Sequence, residues 1–153
     1  RVVIPESTEL IGPYAFSHCT ALSDIILPHK YIEISEDAFS DTACVNSQSP
    51  GAAYVGNHLC CYTPYTEDGT EPDCVIPEGI EYIDAGVFHF APPMRIFFPK
   101  SLKGVDICAF IPDESEHELI TPDGIGEDYP VKNGRIAFQH DINDHWWDIL
   151  NNE

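Results

Sequence analysis

The sequence predicts a solenoid, a stack of short repeated units built mostly of β-strand. The first observation behind this prediction is a proline that follows an apolar residue at Pro5, Pro28, Pro77 and Pro99. Pro5 and Pro28 are 23 residues apart, and Pro77 and Pro99 are 22 apart. The second observation is an apolar pattern that keeps the same offset from each proline. A period in the twenties is typical of stacked supersecondary units.

Each proline ends a predicted short strand with alternating side chains. Apolar residues one and three positions before proline share a face, so we expect them in the core. They are Val2 and Ile4, Ile25 and Leu27, Cys74 and Ile76, and Ile96 and Phe98. The residue two positions before proline points to the opposite face, and is Val3, Ile26, Val75 or Phe97. Proline stops the strand because it has no N–H to give to the sheet.

A second inward-facing segment follows each proline. Its aliphatic residue comes six positions after proline and is Ile11, Ile34, Ile83 or Val105. A pair of one small and one aromatic residue follows, as Ala15-Phe16, Ala38-Phe39, Val87-Phe88 and Ala109-Phe110. No unit can bury these side chains alone, so neighbouring units must stack. Stacking predicts a continuous ladder of aromatic rings inside the solenoid.

The regular spacing of the prolines is lost between Pro28 and Pro77, which are 49 residues apart. We expect a degenerate repeat there, with its strand near Cys44–Ser49 and Pro50 in the place of the repeat proline. Dipeptides such as Gly-Asn and Asp-Gly favour tight turns. Residues 52–72 therefore predict a hairpin that projects from the stack, with a turn at residues 67–69.

The pattern is also lost beyond Phe110. Short strands are expected near His117–Thr121 and Gly134–Phe138. The segment Asp141–Asn152 places four apolar residues on one helical stripe. They are Ile142, Trp146, Ile149 and Leu150. This segment predicts a helix that closes the end of the core.

The regular units resemble a known family. The runs Val-Val-Ile-Pro-Glu at 2–6, Leu-Ile-Gly at 10–12 and Ala-Phe-Ser-His-Cys-Thr-Ala-Leu at 15–22 resemble the BspA-like (Treponema pallidum-type) leucine-rich repeat. The resemblance implies one leucine-rich-repeat domain over 1–153, mostly β with short irregular or 3-10 connections. Its four clear repeats are 2–24, 25–47, 74–96 and 97–111. A degenerate repeat spans 48–73, and a C-terminal cap spans 112–153.

What the resemblance implies for function is a bacterial surface or secreted protein, and in some members an adhesin for host or bacterial proteins. It implies no shared catalytic residues and no cofactor. The residues agree, because the chain holds no nucleophile elbow, metalloprotease helix or glycine-rich phosphate loop. We therefore expect no enzyme.

The charge is strongly acidic, with 26 Asp and Glu against 7 Lys and Arg and a net charge of −19. Nucleic-acid and anionic-membrane binding need a cationic footprint, so we exclude both. A basic protein patch or calcium remains compatible with this field. No apolar run is long enough to span a bilayer. No signal peptide is present, and the chain opens on Arg1, which suggests a processed fragment.

The outward row Val3, Ile26, Val75 and Phe97 is the candidate protein-binding surface, on the open, concave sheet face of such solenoids. The alternative is that β-branched and aromatic residues simply suit a strand. Trp147 is a further candidate contact. On a helix it points about 100° away from Trp146, so one of the two rings caps the core and the other meets a partner.

The six cysteines allow either thiols or disulfides. Cys19, which lies where the family places a buried thiol, and Cys74 are expected in the core, since free cysteine behaves as a small hydrophobe. Cys60 and Cys61 are adjacent, so at most one points inward. A disulfide from one of them to Cys44 or Cys74 is the alternative.

Metal sites are disfavoured. His58, Cys60 and Cys74 lack the paired Cys-x2-Cys spacing of structural zinc. Asp141, Asn143 and Asp144 start like a calcium loop but lack its glycine and closing glutamate. A second acidic group comprises Asp123, Glu127 and Asp128, and it is expected from composition alone. Two functions therefore remain: a non-catalytic, adhesin-type binding module, and a structural spacer in a larger surface protein with no ligand of its own.

Overall fold

The computed structural model describes residues 1–64, 73–89, 91–106, 108–110, 117–122, 124–125, 131–132 and 135–136. It contains one short helix, α1 (Ala43–Asn46), among short strands. The strands are β1 (Val2–Val3), β2 (Leu10–Ile11), β3 (Ile25–Ile26), β4 (Glu33–Ile34), β5 (Gly51–Val55), β6 (His58–Thr63), β7 (Cys74–Val75), β8 (Tyr82–Ile83), β9 (Arg95–Phe97), β10 (Gly104–Val105), β11 (Glu118–Thr121), β12 (Gly124–Ile125), β13 (Val131–Lys132) and β14 (Arg135–Ile136).

Equivalent strands of successive repeats pair in parallel. Before the prolines, β1 pairs with β3, and β9 pairs with both β7 and β11. After the prolines, β2 pairs with β4, and β8 pairs with both β6 and β10. Val3 lies beside Ile26, and Val75 lies beside Phe97, one repeat further along the chain. The predicted solenoid is confirmed.

Burial follows the predicted alternation. The residues one and three positions before proline are buried, from Ile25 at 8% exposed to Ile96 at 0%, except for Val2, which is partly buried at the end of the stack. The four aliphatic residues six positions after proline are also buried. These side chains form the core because stacked repeats cover each other's apolar faces.

The predicted strand near Cys44–Ser49 is wrong. The first residues of this segment belong to α1, whose N-terminus is capped by Thr42. The Thr42 hydroxyl accepts a hydrogen bond from the N–H of Val45 at 3.3 Å and donates to the carbonyl of Phe39 at 2.8 Å. A threonine in this role satisfies an N–H that the first turn of a helix leaves unpaired.

The predicted hairpin is present at residues 51–63, and this described part of it does not project. It is formed by β5 and β6 around a turn at residues 56–57, and Ala53, Val55 and Leu59 are at most 1% exposed. Leu59 lies beside Ile83 in the parallel sheet. The start of β6 is therefore the second segment of the degenerate repeat, and Ala53, rather than Pro50, takes the offset of the repeat proline. The turn expected at 67–69 lies outside the described residues.

The aromatic ladder is interrupted rather than continuous. Phe16 stacks on Phe39 at 5.5 Å between ring centroids, and Phe88 stacks on Phe110 at 4.9 Å. Between the two pairs, Tyr62 of β6 contacts Phe88 at 5.7 Å. The buried apolar residues accordingly form two clusters, one on each side of the hairpin.

In the C-terminal part, β11 lies within the segment 117–121 and β14 within 134–138, where strands were expected. The predicted capping helix Asp141–Asn152, and Trp147 with it, lie outside the described residues.

Candidate protein-binding surface

The outward row of the strands before proline lies at the surface. Val3 is 61% exposed and Val75 is 66% exposed, whereas Ile26 and Phe97 are partly buried. The row falls into two patches, because β1 and β3 form one sheet and β7, β9 and β11 belong to another.

The second patch has a member that sequence reasoning missed. Ile120 of β11 lies beside Phe97 in the parallel register, so Val75, Phe97 and Ile120 form three adjacent positions on one sheet. We call these three residues the outer patch. Ile120 was missed because no repeat proline follows it, although alternation within 117–121 could have found it.

A charged row borders the outer patch. Arg95 lies two residues before Phe97 on β9, and its guanidinium carbon is 5.7 Å from the Phe97 ring centroid. The Arg95 Nε donates to Asp73 at 2.8 Å. The hydrogen bond to Asp73 raises the pKa of Arg95, and the charges of Asp73 and Glu118 add to this effect. An arginine held over an aromatic ring beside an exposed aliphatic side chain, here Val75, is typical of protein contact sites.

A buried polar cluster lies away from this surface. The His58 ring donates from Nδ1 to Asp84 Oδ1 at 2.7 Å, and the Cys60 thiol donates to Asp84 Oδ2 at 3.1 Å. His58 is 1% exposed and Asp84 is 4% exposed. Burial raises the pKa of Asp84, although the hydrogen bond from His58 opposes this rise. The cluster joins β6 to the fourth repeat, 74–96, where the degenerate repeat is counted as the third.

The sequence pattern places His58 and Cys60 with Cys74 only in a disfavoured zinc site. The structure brings them together at Asp84, while Cys74 is buried on β7. Burial raises the pKa of Cys60 well above its ordinary value, so it is a thiol that donates rather than a nucleophilic thiolate. The signal for this cluster was Asp84 itself, because the equivalent positions of the first two repeats hold Gly12 and Ser35.

All six cysteines are free thiols, so neither proposed disulfide is formed. Cys74 is buried as expected. Cys19 is exposed, and the expectation that it packs in the core is wrong. It lies in the turn of the first repeat, where its N–H donates to the carbonyl of Phe16 at 3.1 Å and Phe16 itself is only partly buried.

Two further findings concern the described part of the chain alone. No group of three or more His, Cys, Asp or Glu side chains is arranged to hold a metal ion there. No helix in these ranges has the length and apolar character needed to cross a bilayer.

Short parallel strands that recur at equivalent positions of successive repeats define a leucine-rich-repeat solenoid, a class of protein-interaction scaffold that is typically not enzymatic. The family profile described as "BspA type Leucine rich repeat region" matches residues 1–115 in 6 copies, and the chain belongs to this family. Its members are typically surface or secreted proteins. No curated protein and no solved structure matches the chain.

Proposed function

We propose that this chain is an extracellular, non-catalytic binding module that holds a host or bacterial surface protein on its outer patch, in the manner of an adhesin. The observation that carries the proposal is the exposure of Val75 at 66%, beside Phe97 and Ile120 on one sheet. Exposed apolar side chains in a contiguous group mark interaction sites more often than isolated ones do.

The electrostatics support a protein partner with basic groups. The net charge of −19 attracts a positively charged surface from a distance and raises the rate of encounter. Arg95 lies over Phe97, which places one cation among the carboxylates Asp73 and Glu118. A partner that offers an apolar centre and a basic rim would match this arrangement.

The experiment is a binding assay against a panel of purified host matrix proteins and bacterial surface proteins. The variants are Val75→Glu and Phe97→Glu. Each places a carboxylate in the apolar centre of the outer patch, so we expect affinity for a panel protein to fall at least about tenfold, which is about 1.4 kcal/mol. The thermal midpoint of Val75→Glu should stay unchanged, because this side chain is mostly exposed.

The matched control is Leu10→Glu. Leu10 is 52% exposed and lies on β2, outside the row that forms the outer patch. This variant adds the same charge to the same kind of exposed aliphatic position and should bind as the parent does. Equal loss in Leu10→Glu and Val75→Glu would contradict the proposal. The absence of any binder in the panel would favour the spacer function instead.

A further inference from the structure

Within the described residues 48–64 of the degenerate repeat, no turn takes the place of the one that carries the Ala-Phe pair in its neighbours. After Leu59 its chain continues as strand β6 to Thr63, where the regular repeats turn. A cleft of about 160 Å³ lies at this position. Asp37 and Phe39 of the second repeat form one wall, and Gly86 and Val87 of the fourth repeat line the other.

The regular turns show which backbone hydrogen bonds are absent at the cleft. The Phe16 N–H donates to the Ala38 carbonyl at 2.8 Å, and the Phe88 N–H donates to the Ala109 carbonyl at 2.9 Å. In each case the phenylalanine of one repeat bonds to the small residue of the next.

The corresponding groups at the cleft are the Phe39 N–H and the Val87 carbonyl. Within the part of the chain that the structure describes, neither has a hydrogen-bond partner, although Phe39 is 2% exposed and Val87 is 3% exposed. Buried backbone groups are nearly always paired. The cleft therefore offers one donor, the Phe39 N–H, and one acceptor, the Val87 carbonyl. They lie where a regular turn would form hydrogen bonds to both neighbouring repeats.

The size and the ring contacts of the cleft suit one aromatic side chain. Phe39 and Tyr62 both line it, at the point where the aromatic ladder is interrupted. An apolar cavity of roughly 150 Å³ is large enough to bind benzene. One ring from outside would restore the stacking that the degenerate repeat does not supply.

The rim of the cleft is acidic. Glu36 and Asp37 both line it, and Glu36 Oε1 is 2.9 Å from the Nδ1 atom of His89 on the opposite wall. Burial raises the pKa of Asp37, and the charge of Glu36 adds to the rise. A cation placed beside these carboxylates would relieve their repulsion, and an acidic ligand would increase it.

We propose that this cleft binds a loop of a partner protein in which an aromatic side chain lies beside lysine or arginine. The ring enters between Phe39 and Tyr62. A carbonyl of the loop accepts from the Phe39 N–H, a loop N–H donates to the Val87 carbonyl, and the cationic side chains face Glu36 and Asp37. The cleft is separate from the outer patch, so this proposal does not depend on the proposed function.

The test uses the full chain and a capped synthetic peptide, Ile-Gly-Arg-Lys-Ala-Phe-Arg-Asn, patterned on the Ile-Gly-x-x-Ala-Phe turn at 11–16. Calorimetry should give a Kd of about 1 mM or tighter. A peptide with alanine for phenylalanine, and one with glutamine for each basic residue, should each bind at least about tenfold more weakly, since each loses one recognition element.

The matched variants remove charge without changing shape. Glu36→Gln combined with Asp37→Asn should weaken binding of the basic peptide about tenfold, because two facing carboxylates are lost. Asparagine tolerates the backbone of Asp37, whose φ is 56°. The control pair, Glu9→Gln with Asp24→Asn, changes the net charge equally at two exposed positions of the first repeat that do not line the cleft. It should bind as the parent does.

The decisive readout is hydrogen exchange of the Phe39 amide by NMR. Saturating peptide should slow this exchange at least about tenfold, since the N–H gains an acceptor, and should leave the amide of Gly12 in the first repeat unchanged. Three results would each overturn the proposal: no binding of the basic peptide, equal loss in both variant pairs, or unchanged exchange at Phe39.

Discussion

A left-handed backbone conformation recurs in the turns that follow Pro5, Pro28 and Pro77. Nine residues after the repeat proline, φ is 58° at Tyr14, 56° at Asp37 and 71° at Gly86. Glycine adopts this region without steric cost and aspartate tolerates it, whereas a bulky residue is strained there. At Gly86 the absence of Cβ has a second reason, since a Cβ would lie 2.6 Å from the side chain of Glu36.

Tyr14→Gly should therefore stabilise the protein. The side chain is 64% exposed, so little packing is lost, and the left-handed backbone of an L-residue costs about 1–2 kcal/mol. The greater freedom of glycine in the unfolded chain offsets part of this, which leaves a gain of about 0.5–1 kcal/mol. Urea denaturation measures it. Tyr14→Ala is the control and should show no gain, because alanine keeps the Cβ that causes the strain.

Asp106 gives a prediction for pH. Its Oδ1 accepts from the N–H of Cys108 at 2.7 Å. Burial raises the pKa of Asp106, and the charges of Asp84 and Glu33 raise it further, although the Cys108 hydrogen bond opposes this. The folded protein therefore binds this proton more tightly than the unfolded chain, whose pKa is near 3.8. Ionisation of Asp106 costs stability as pH rises through its folded pKa.

Asp106→Asn should consequently be more stable than the parent at neutral pH. Asparagine keeps an oxygen that can accept from Cys108 and never ionises. The advantage should disappear as pH falls below 3.8, because the parent carboxyl is then protonated in both states. Urea denaturation across this pH range measures it, with Glu9→Gln as an exposed control. A gain independent of pH would contradict the electrostatic cause.

Among single residues, the sequence was informative where side-chain chemistry alone decides burial. Ile96 and Ile83 are buried as alternation predicts. Asp84 and the left-handed backbone of Tyr14 were not foreseen. A buried charge depends on partners from another repeat, and a tyrosine gives no sign that the family's turn requires positive φ at its position.

Among the elements, successive repeats are tied by polar contacts at fixed offsets. One residue after proline, Glu78 accepts from the N–H of Lys100 at 2.9 Å, as Glu6 accepts from His29 at 3.3 Å in the first repeats. Four residues after proline, Lys103 Nζ is 2.7 Å from Glu81 Oε1. Each of these contacts joins equivalent or neighbouring positions of successive repeats, so they favour the register that buries the core.

Ser101 offers a direct test of these polar contacts between repeats. Its hydroxyl accepts from the Gly79 N–H at 2.8 Å and donates to the Ile80 carbonyl at 2.8 Å, which links two repeats. Ser101→Ala removes both hydrogen bonds and should cost about 1 kcal/mol of unfolding free energy, measured by urea denaturation. Ser7→Ala, at an exposed turn, should change stability by less than about 0.5 kcal/mol. Equal effects in the two variants would argue against inter-repeat bonding as the cause.

The regular repeats could be predicted element by element, and the degenerate repeat could not. Proline marks the register elsewhere, but here Ala53 has its offset and Pro50 pointed to the wrong position. The helix α1 depends on the Thr42 cap, which an apolar pattern does not reveal. Of the outer patch, Val75 and Phe97 were predicted, while Ile120 was found only from strand pairing.

At the scale of the whole molecule, the net charge of −19 is the dominant electrostatic feature. Self-repulsion of like charges destabilises a compact chain, and salt screens it, with a Debye length of about 10 Å at 0.1 M. Raising NaCl from about 10 mM to about 300 mM should therefore increase the urea midpoint. Exposed ion pairs such as Arg1–Asp24, at 3.3 Å, lose little in comparison.

The shape of this salt response distinguishes its causes. Screening should level off by about 0.3 M, where the Debye length becomes short compared with the spacing of charges. A rise that continued linearly to molar salt would point to exclusion of salt from the surface instead. A fall would show that the ion pairs outweigh the repulsion.

The division of the core into two clusters has a mechanical consequence. The stability of a solenoid is a sum of terms for repeats and for the contacts between neighbours. The second and fourth repeats meet through the hairpin and through the Glu36–His89 contact, but among the described residues the Phe39 N–H makes no backbone hydrogen bond like the one that joins Phe16 to Ala38. Tension applied along the stack would concentrate at this joint. We expect such a chain to unfold in two steps under tension, with one cluster unfolding while the other stays folded.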